Sequence, residues 1–387
     1  MNSFLLNSRR AFRKSGGSGA STWTFDLASI EYMRKSQNLD LDAAIQFTPT
    51  PDGKLVLFPA YDGGYSYIRK RGYMTTDPGY DPLHPFDLPY IGLTSATDGY
   101  YQGQTNINYW GNSTPTESTA MCLGLDLAPD GKRVFMVLRA MRNSVSGAFF
   151  ASIDLDEAWT LEPALMPTTN NPNGSRTALP AWVRGIDWDA MTCVLQDGST
   201  RQFAMAPIGL PDSVYLKTRL LVSHDGSRIY TLGGRFTGTG AGVITQYTMA
   251  DPFDVSTLKR SNVVLNMASY EIDFGGGSTM YRDVVMSPDG LRLFVLGLNI
   301  NANYDPRTSS SNNSYIYEFA LAAPYDVGTA EAVKRVRLQD SAIGLYDYAP
   351  VISPSGMFVD EQNGGERIFL YDARVRTLYQ FSVTSPS

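Results

Sequence analysis

Seven residues before the glycine of each of five Pro-Asp-Gly-like turns, the chain places Gln46, Gly124, Arg219, Asp283 and Ala349. If strands carrying these positions converge, they form the natural place for a metal ion or a pair of catalytic acids. A calcium site needs several carboxylate or amide oxygens directed at one point. One acid, one base, one amide and two small residues do not supply them, and only Asp126 and Asp187 keep a calcium reading open. The two histidines fare no better as general bases. His84 lies between Leu83 and Pro85 in "DPLHPFDLP", His224 occupies a turn, and neither is accompanied by GxSxG or HExxH. Both are expected on surface loops. The glycine run at Phe274, "FGGGST", lacks the Lys-Ser/Thr that would open a phosphate-binding helix. Cys122 and Cys193 sit in no CxxC or Cys/His cluster, so they are expected to be small buried hydrophobes rather than ligands or a disulfide framework. No catalytic, metal or cofactor residue is assigned, and the chain is expected not to be an enzyme.

The elements that must hold these residues are strands. The 387 residues are 43% hydrophobic and 12% aromatic but only 18% charged, enough apolar material for a substantial core. With 35 Gly, 22 Pro and 23 Tyr, and with Val, Ile, Thr, Tyr and Phe in short runs broken by turn residues, the composition favours an all-β fold. A net charge of -6 gives no general attraction to nucleic acid or to anionic membranes. No run approaches the roughly 18 apolar residues of a membrane span. The start "MNSFLLNSRRAFRK" does not read as a secretory signal, because its apolar segment is very short and no small-residue cleavage site follows.

One unit is reused along the chain. "QYTMADPFDVST", Gln246 to Thr257, reappears as "EFALAAPYDVGT" at Glu318 to Thr329, an ungapped offset of 72 residues. Around it lies a longer pattern of apolar strand, turn, second apolar strand, variable loop and alternating third strand. The turns read "TPDGK" at Thr50, "APDGK" at Ala128, "SHDGS" at Ser223, "SPDGL" at Ser287 and "SPSGM" at Ser353, each placing Gly where a positive φ carries no Cβ penalty. Apolar residues four and six before the glycine alternate as one buried strand face. "KLVLF", "RVFMVL", "RIYTL", "RLFVL" and "RIFLY" supply the second strands. A degenerate unit, Trp182 to Ala206, keeps the strands and loses the turn glycine. Third strands are expected at Tyr65, Phe149, Arg201, Thr245, Tyr317 and Leu378.

Repeats of about 65 residues suit four-stranded antiparallel sheets arranged radially as a β-propeller. The count favours six blades, with seven as the alternative because "TWTF", Thr22 to Phe25, resembles an additional third strand. The final unit stops after its third strand, and Tyr32 to Asn38 are placed to supply its outer strand and close the ring. The Ala-x-Pro-aromatic-Asp-Val element lies between third and fourth strands, where proline stops the ladder, the aromatic packs over the sheet and Asp bonds turn amides. It is expected to be scaffold.

These residues carry a resemblance. "MADPFDVSTLKRSNVV" after an "SHDG" hairpin, and "SPDGLRLFVLG" followed by "YIYEFALAAPYDVGTAEAVKRV", resemble the repeats of propeller-type structural proteins of tailed bacteriophages, over roughly residues 22 to 387. The third copy, "ASIDLDEAWTLEPA" at Ala151, fits loosely, with Trp159 in the aromatic place. The resemblance implies a virion component of the tail or another appendage that contacts other virion proteins and host surface polymers. It implies no catalytic residue.

Two segments exceed what a scaffold demands. Residues 1-19 form an expected anchoring arm, in which Phe4, Leu5, Leu6 and Phe12 are interleaved with Arg9, Arg10, Arg13 and Lys14 before a Gly/Ser hinge. Residues 20-387 form the propeller, with an insertion at about 88-118. There Tyr100, Tyr101, Tyr109 and Trp110 stand among Asn, Gln, Thr and Ser, a composition suited to sugar stacking or to a wet protein interface. Two further polar stretches, "MPTTNNPNGSRTALP" and "NINANYDPRTSSSNNS", read as exposed loops. The expected protein is a non-enzymatic virion part, in several copies, as a tail fibre, receptor-binding or nozzle component. The alternatives are a cellular WD-like interaction module and a calcium-dependent lactonase or glycan-acting propeller.

Overall fold

At Ala128, Ser223 and Ser287 the Pro-Asp-Gly-like turn folds two apolar strands against one another, and the third strand returns beside the second, because alternating side chains leave two faces to bury. The computed structural model describes residues 23–35, 48–49, 55–62, 65–72, 101–106, 121–142, 145–154, 183–187, 192–195, 200–202, 204–208, 219–233, 242–267, 279–299, 314–345, 354–359 and 367–384. They form antiparallel sheets. Sheet I contains β2 (Thr48–Pro49), β3 (Leu55–Asp62), β4 (Tyr65–Gly72) and β5 (Tyr101–Asn106). Sheet II contains β6 (Met121–Leu127), β7 (Arg133–Arg142), β8 (Val145–Asp154) and, on its outer side, β12 (Ala204–Ile208). Between β8 and β12 in sequence lies the three-stranded sheet III, β9 (Val183–Asp187), β10 (Thr192–Leu195) and β11 (Thr200–Gln202). Sheet IV runs β13 (Arg219–Val222), β14 (Arg228–Gly233), β15 (Val243–Met249), β16 (Leu258–Asn266). Sheet V runs β17 (Thr279–Met286), β18 (Arg292–Asn299), β19 (Ser314–Leu321), β20 (Ala330–Arg337). Sheet VI takes β21 (Pro354–Val359), β22 (Arg367–Asp372) and β23 (Thr377–Thr384), and its fourth strand is β1 (Asp26–Lys35) from the other end of the sequence.

The inner strands lie side by side, β6 against β13, β13 against β17 and β17 against β21. The apolar cores accordingly sit between neighbouring sheets. Phe135 and Phe150 of sheet II pack with Leu220, Ile229 and Tyr247 of sheet IV, and Tyr230 and Ile244 of sheet IV pack with Val295, Tyr317 and Phe319 of sheet V. The strands differ along the radius for the same reason. Residues 293–298 of β18 are all buried, whereas β16 and β20 at the rim carry Lys259, Arg260, Glu331 and Arg337 into solvent. This is a β-propeller closed by its N-terminal strand.

Several details depart from expectation. "SPSG" at Ser353 is not a turn: residues from Pro354 onward form β21, buried throughout, with a register shift between Pro354 and Gly356. Among the described residues the degenerate unit contributes a three-stranded sheet, and its expected third strand is shared between two sheets. Its alternating run divides at Phe203, Thr200–Gln202 staying with β10 and Ala204–Ile208 crossing to β8. Pro207, which lacks an N–H for a ladder, is tolerated because β12 is an edge strand. At the inner edge sheet II therefore meets sheet IV directly. Part of the expected insertion at 88-118 is also structural, since Tyr101–Asn106 is the fourth strand of sheet I. The closing strand starts at Asp26 rather than near Tyr32, and residues 23–25 are not an extra strand.

Candidate functional site

A line of buried charge joins sheets II, IV, V and VI at their inner strands. The Asp126 carboxylate on β6 accepts the Val222 N–H of β13 at 2.7 Å. In the opposite direction Arg219 Nη1 donates to the Leu125 carbonyl at 3.1 Å. Arg219 Nε stands 2.6 Å from Asp283 Oδ1 on β17, the two side chains being 5% and 0% exposed. Asp283 accepts the N–H of Val284 and, across to sheet VI, that of Met357, each at 2.7 Å. Burial pushes the Asp283 carboxyl up to about 6, against the pull of the Arg219 guanidinium and the two amides. Burial raises Asp126 too, again opposed by Arg219.

The chemistry of this line is cohesion. Each carboxylate bonds a backbone amide of the next sheet, and the one guanidinium is shared between a carbonyl behind it and a carboxylate ahead. Among the described residues no cluster of three or more His, Cys, Asp or Glu could hold a metal ion. Arg219 and Asp283 occupy the same place in their repeats and differ in charge, so likeness between repeats does not reveal the pair. The readable signal was complementarity, opposite charges at one position of consecutive units.

A second system of contacts lies farther out along the hairpins. Gly131, Gly226 and Gly290 have φ of 70°, 71° and 70°. Two residues beyond each glycine stands an arginine that bonds a carbonyl in the outer loop of the next sheet: Arg133 to Phe253, Arg228 to Pro324 at 2.9 Å and Arg292 to Trp23 at 2.6 Å. Four residues beyond each glycine an aromatic meets the same loop. Phe135 faces Phe253, Tyr230 donates to the Tyr325 carbonyl at 2.5 Å, and Phe294 stacks on Phe25 at 5.3 Å. The reused Pro-aromatic-Asp-Val element is thus the part that each preceding sheet grips. Its aromatic also covers the turn glycine of its own sheet, with Phe253 over Gly226 and Tyr325 over Gly290.

The segment before β1 belongs to the same series. Asp254 and Asp326 each accept an N–H two residues on, from Ser256 and Gly328, and Thr257 and Thr329 donate back to their carbonyls. Asp26 accepts from Ala28 at 2.8 Å and Ser29 donates to the Asp26 carbonyl at 2.6 Å. Phe25-Asp26-Leu27-x-Ser29 is therefore the counterpart, at the start of the fourth strand of sheet VI, of the element that precedes the fourth strands of sheets IV and V. That likeness to Phe253-Asp254-Val255-x-Thr257 was legible in the sequence and was masked by the strand-like look of Thr22 to Phe25.

Most of the expected contact residues cannot be placed against these systems from the described residues. Phe4, Leu5, Leu6, Arg9, Arg10, Phe12, Arg13 and Lys14 lie outside the described residues, as do Tyr100, Tyr109, Trp110, His84, Gln46 and Ala349. Tyr101 opens β5 opposite Gly72. His224 is exposed in its turn, Asp187 ends β9, and Cys122 and Cys193 lie on β6 and β10. Among the described residues no helix is long and apolar enough to cross a membrane.

The chain matches no protein-family profile and no curated protein. Solved structures similar to it include the Cps50 (Swd1) β-propeller domain of Myceliophteria thermophila, at 8% identity over 92% of this chain and 100% of that one, TM-score 0.35. TolB from Acinetobacter baumannii is similar at 11% identity over 89% of this chain and 56% of that one, TM-score 0.34. A member of the DUF4221 family from Bacteroides vulgatus is similar at 9% identity over 94% and 99%, TM-score 0.31. Identities of this order say nothing about activity.

Proposed function

We propose that the protein is a non-enzymatic structural component of a tailed-bacteriophage particle, a rigid propeller fixed to the tail or another appendage by residues 1-19. It presents its long loops to neighbouring subunits or to a host surface. One observation carries the non-enzymatic part: Asp126, Arg219 and Asp283, charged residues on the inner strands, are committed to amides, a carbonyl and one another across sheet boundaries. Groups held in that way stiffen a ring and are poorly placed to bind substrate. The assignment to a virion rests on the resemblance of the "SPDG" hairpin and Ala-x-Pro-aromatic-Asp-Val repeats to phage propellers. The arm, basic and aromatic in a chain of net charge -6, supplies the anchor, with an acidic face of a partner subunit as its complement. Tyr100, Tyr101, Tyr109 and Trp110 supply the outward contact, and several copies in symmetric arrangement fit such a part.

The test compares particles assembled with the full-length chain and with a chain lacking residues 1-19, by mass spectrometry and cryo-electron microscopy. The full chain is expected at a tail or appendage position, and the shortened chain is expected to fold yet be lost from particles. Absence of both forms from particles, with a calcium-binding monomer in solution, would overturn the proposal.

A further inference from the structure

The outer loops of sheets IV and V are held in their grooves twice over, by side-chain contacts and by chain continuity into the strands on either side. The equivalent segment of sheet VI differs. Residues 23–35 complete that sheet from the opposite end of the sequence, and no chain connects β23 to β1. Toward β23 their hold is contact alone. Arg292 donates to the Trp23 carbonyl and lies 4.6 Å from the centre of the Phe25 ring, with Phe294 stacked on that ring at 5.3 Å. Lys334 of sheet V pairs with Asp26 at 2.5 Å. Leu27 and Ile30 enter the core shared by sheets V and VI, and β1 pairs antiparallel with β23 from Asp26↔Thr384 to Lys35↔Tyr379.

We propose that the groove between sheets V and VI is a strand-acceptor site. Its ligand is an extended segment of pattern Trp-x-Phe-Asp-Leu-x-Ser-Ile, filled within one chain by residues 23–35 and open to the same segment of a second copy. Two copies that exchange these segments make every contact a single copy makes, which is the condition for low-cost domain swapping. The segment is attached to sheet I through residues 36–47, and a chain of that length spans at most about 40 Å. Recognition is specific, because the site reads an aromatic that touches both a cation and a ring, a carboxylate beside Lys334, and the strand register.

The experiment uses the full chain with Glu31→Cys and Ser382→Cys, exposed and half-exposed positions that face each other across β1 and β23. The reduced protein is unfolded, refolded over a roughly hundredfold range of concentration and then oxidised. Linked peptides are mapped by mass spectrometry, which separates the 31–382 bond from any bond to Cys122 or Cys193. A 31–382 bond between chains, its share rising with concentration, is the expected result. A 31–382 bond confined to single chains at every concentration overturns the proposal, since that bond itself shows β1 seated and not exchanged. Failure to form the bond in either arrangement overturns it as well. The outcome is independent of whether the protein belongs to a virion.

Discussion

Gly290→Ala tests the physical reason for the repeat in one position. Gly290 has φ +70°, where a side chain costs about 1–2 kcal/mol relative to glycine. An added Cβ would also lie 2.4 Å from Cδ1 and 2.6 Å from Cε1 of Tyr325, so the ring must leave its place over the turn. Moving it weakens the Tyr325 N–H bond to the Gly290 carbonyl at 2.8 Å, the Tyr325 hydroxyl bond to Pro288 and the seat of the Tyr230 hydroxyl on the Tyr325 carbonyl. Two such losses at about 1 kcal/mol each bring the total to about 3–4 kcal/mol. For 387 residues at about 2.1 cal/mol/K each, that lowers the melting temperature by about 4–5 °C. The assay is urea unfolding of the wild type, Gly290→Ala, Tyr325→Ala and the double variant. With the ring gone only the backbone cost should remain, giving a coupling of about 2 kcal/mol. Equal costs of Gly290→Ala in both backgrounds would refute the account, because the aromatic would then have no part in the choice of glycine.

Other perturbations address the inner line and the closure. Asp283, raised from 3.8 to about 6 by burial, holds its proton more tightly folded than unfolded, so its stabilising contribution is complete below pH 3.8 and is lost as pH rises through about 6. The loss is about 3 kcal/mol. Asp283→Asn should abolish that part of the pH dependence, and an unchanged fall in urea midpoint between about pH 4 and about pH 7 would count against it. Phe25→Ala should cost about 3–5 kcal/mol. It should also speed hydrogen exchange in β1 and β23 ahead of β14 and β18, and a uniform acceleration would show that closure is no separate unit. Asp326→Ala removes the acceptor for the Gly328 N–H and should cost about 0.5–2 kcal/mol in thermal unfolding, leaving hydrogen-exchange protection of β22 and β23 in sheet VI unchanged.

Much of the architecture was legible because short-range chemistry encodes it. Positive-φ glycines after Pro-Asp and His-Asp, the two-residue alternation before them, and the copied Ala-x-Pro-aromatic-Asp-Val mark hairpins and outer loops wherever they occur. Legibility ended where pairing is decided at long range. Nothing local says that Ala204–Ile208 will leave Thr200–Gln202 and join β8, or that Tyr101–Asn106 within a polar insertion will join β4. "SPSG" at Ser353 misled for a related reason. Its residues match a turn by type, but from Pro354 onward they lie within β21, which pairs antiparallel with β22, and Arg367 opens β22 as Arg292 opens β18. The inner charge line was hidden because Arg219 and Asp283 look unrelated until their strands are side by side.

The two contact systems explain how a repeat this divergent still makes one ring. Ion and amide bonds join neighbours at the inner strands, and arginine–carbonyl and aromatic contacts join them again halfway out, each built from positions fixed relative to a turn glycine. A sheet satisfying both is oriented at two radii, and its rotation against the next sheet is then set. Exchanging Arg292 or Phe294 would loosen the seam that seats residues 23–35, a segment that is not continuous in sequence with the strand it pairs. Substitutions at that seam should therefore alter assembly before they alter any loop-borne recognition.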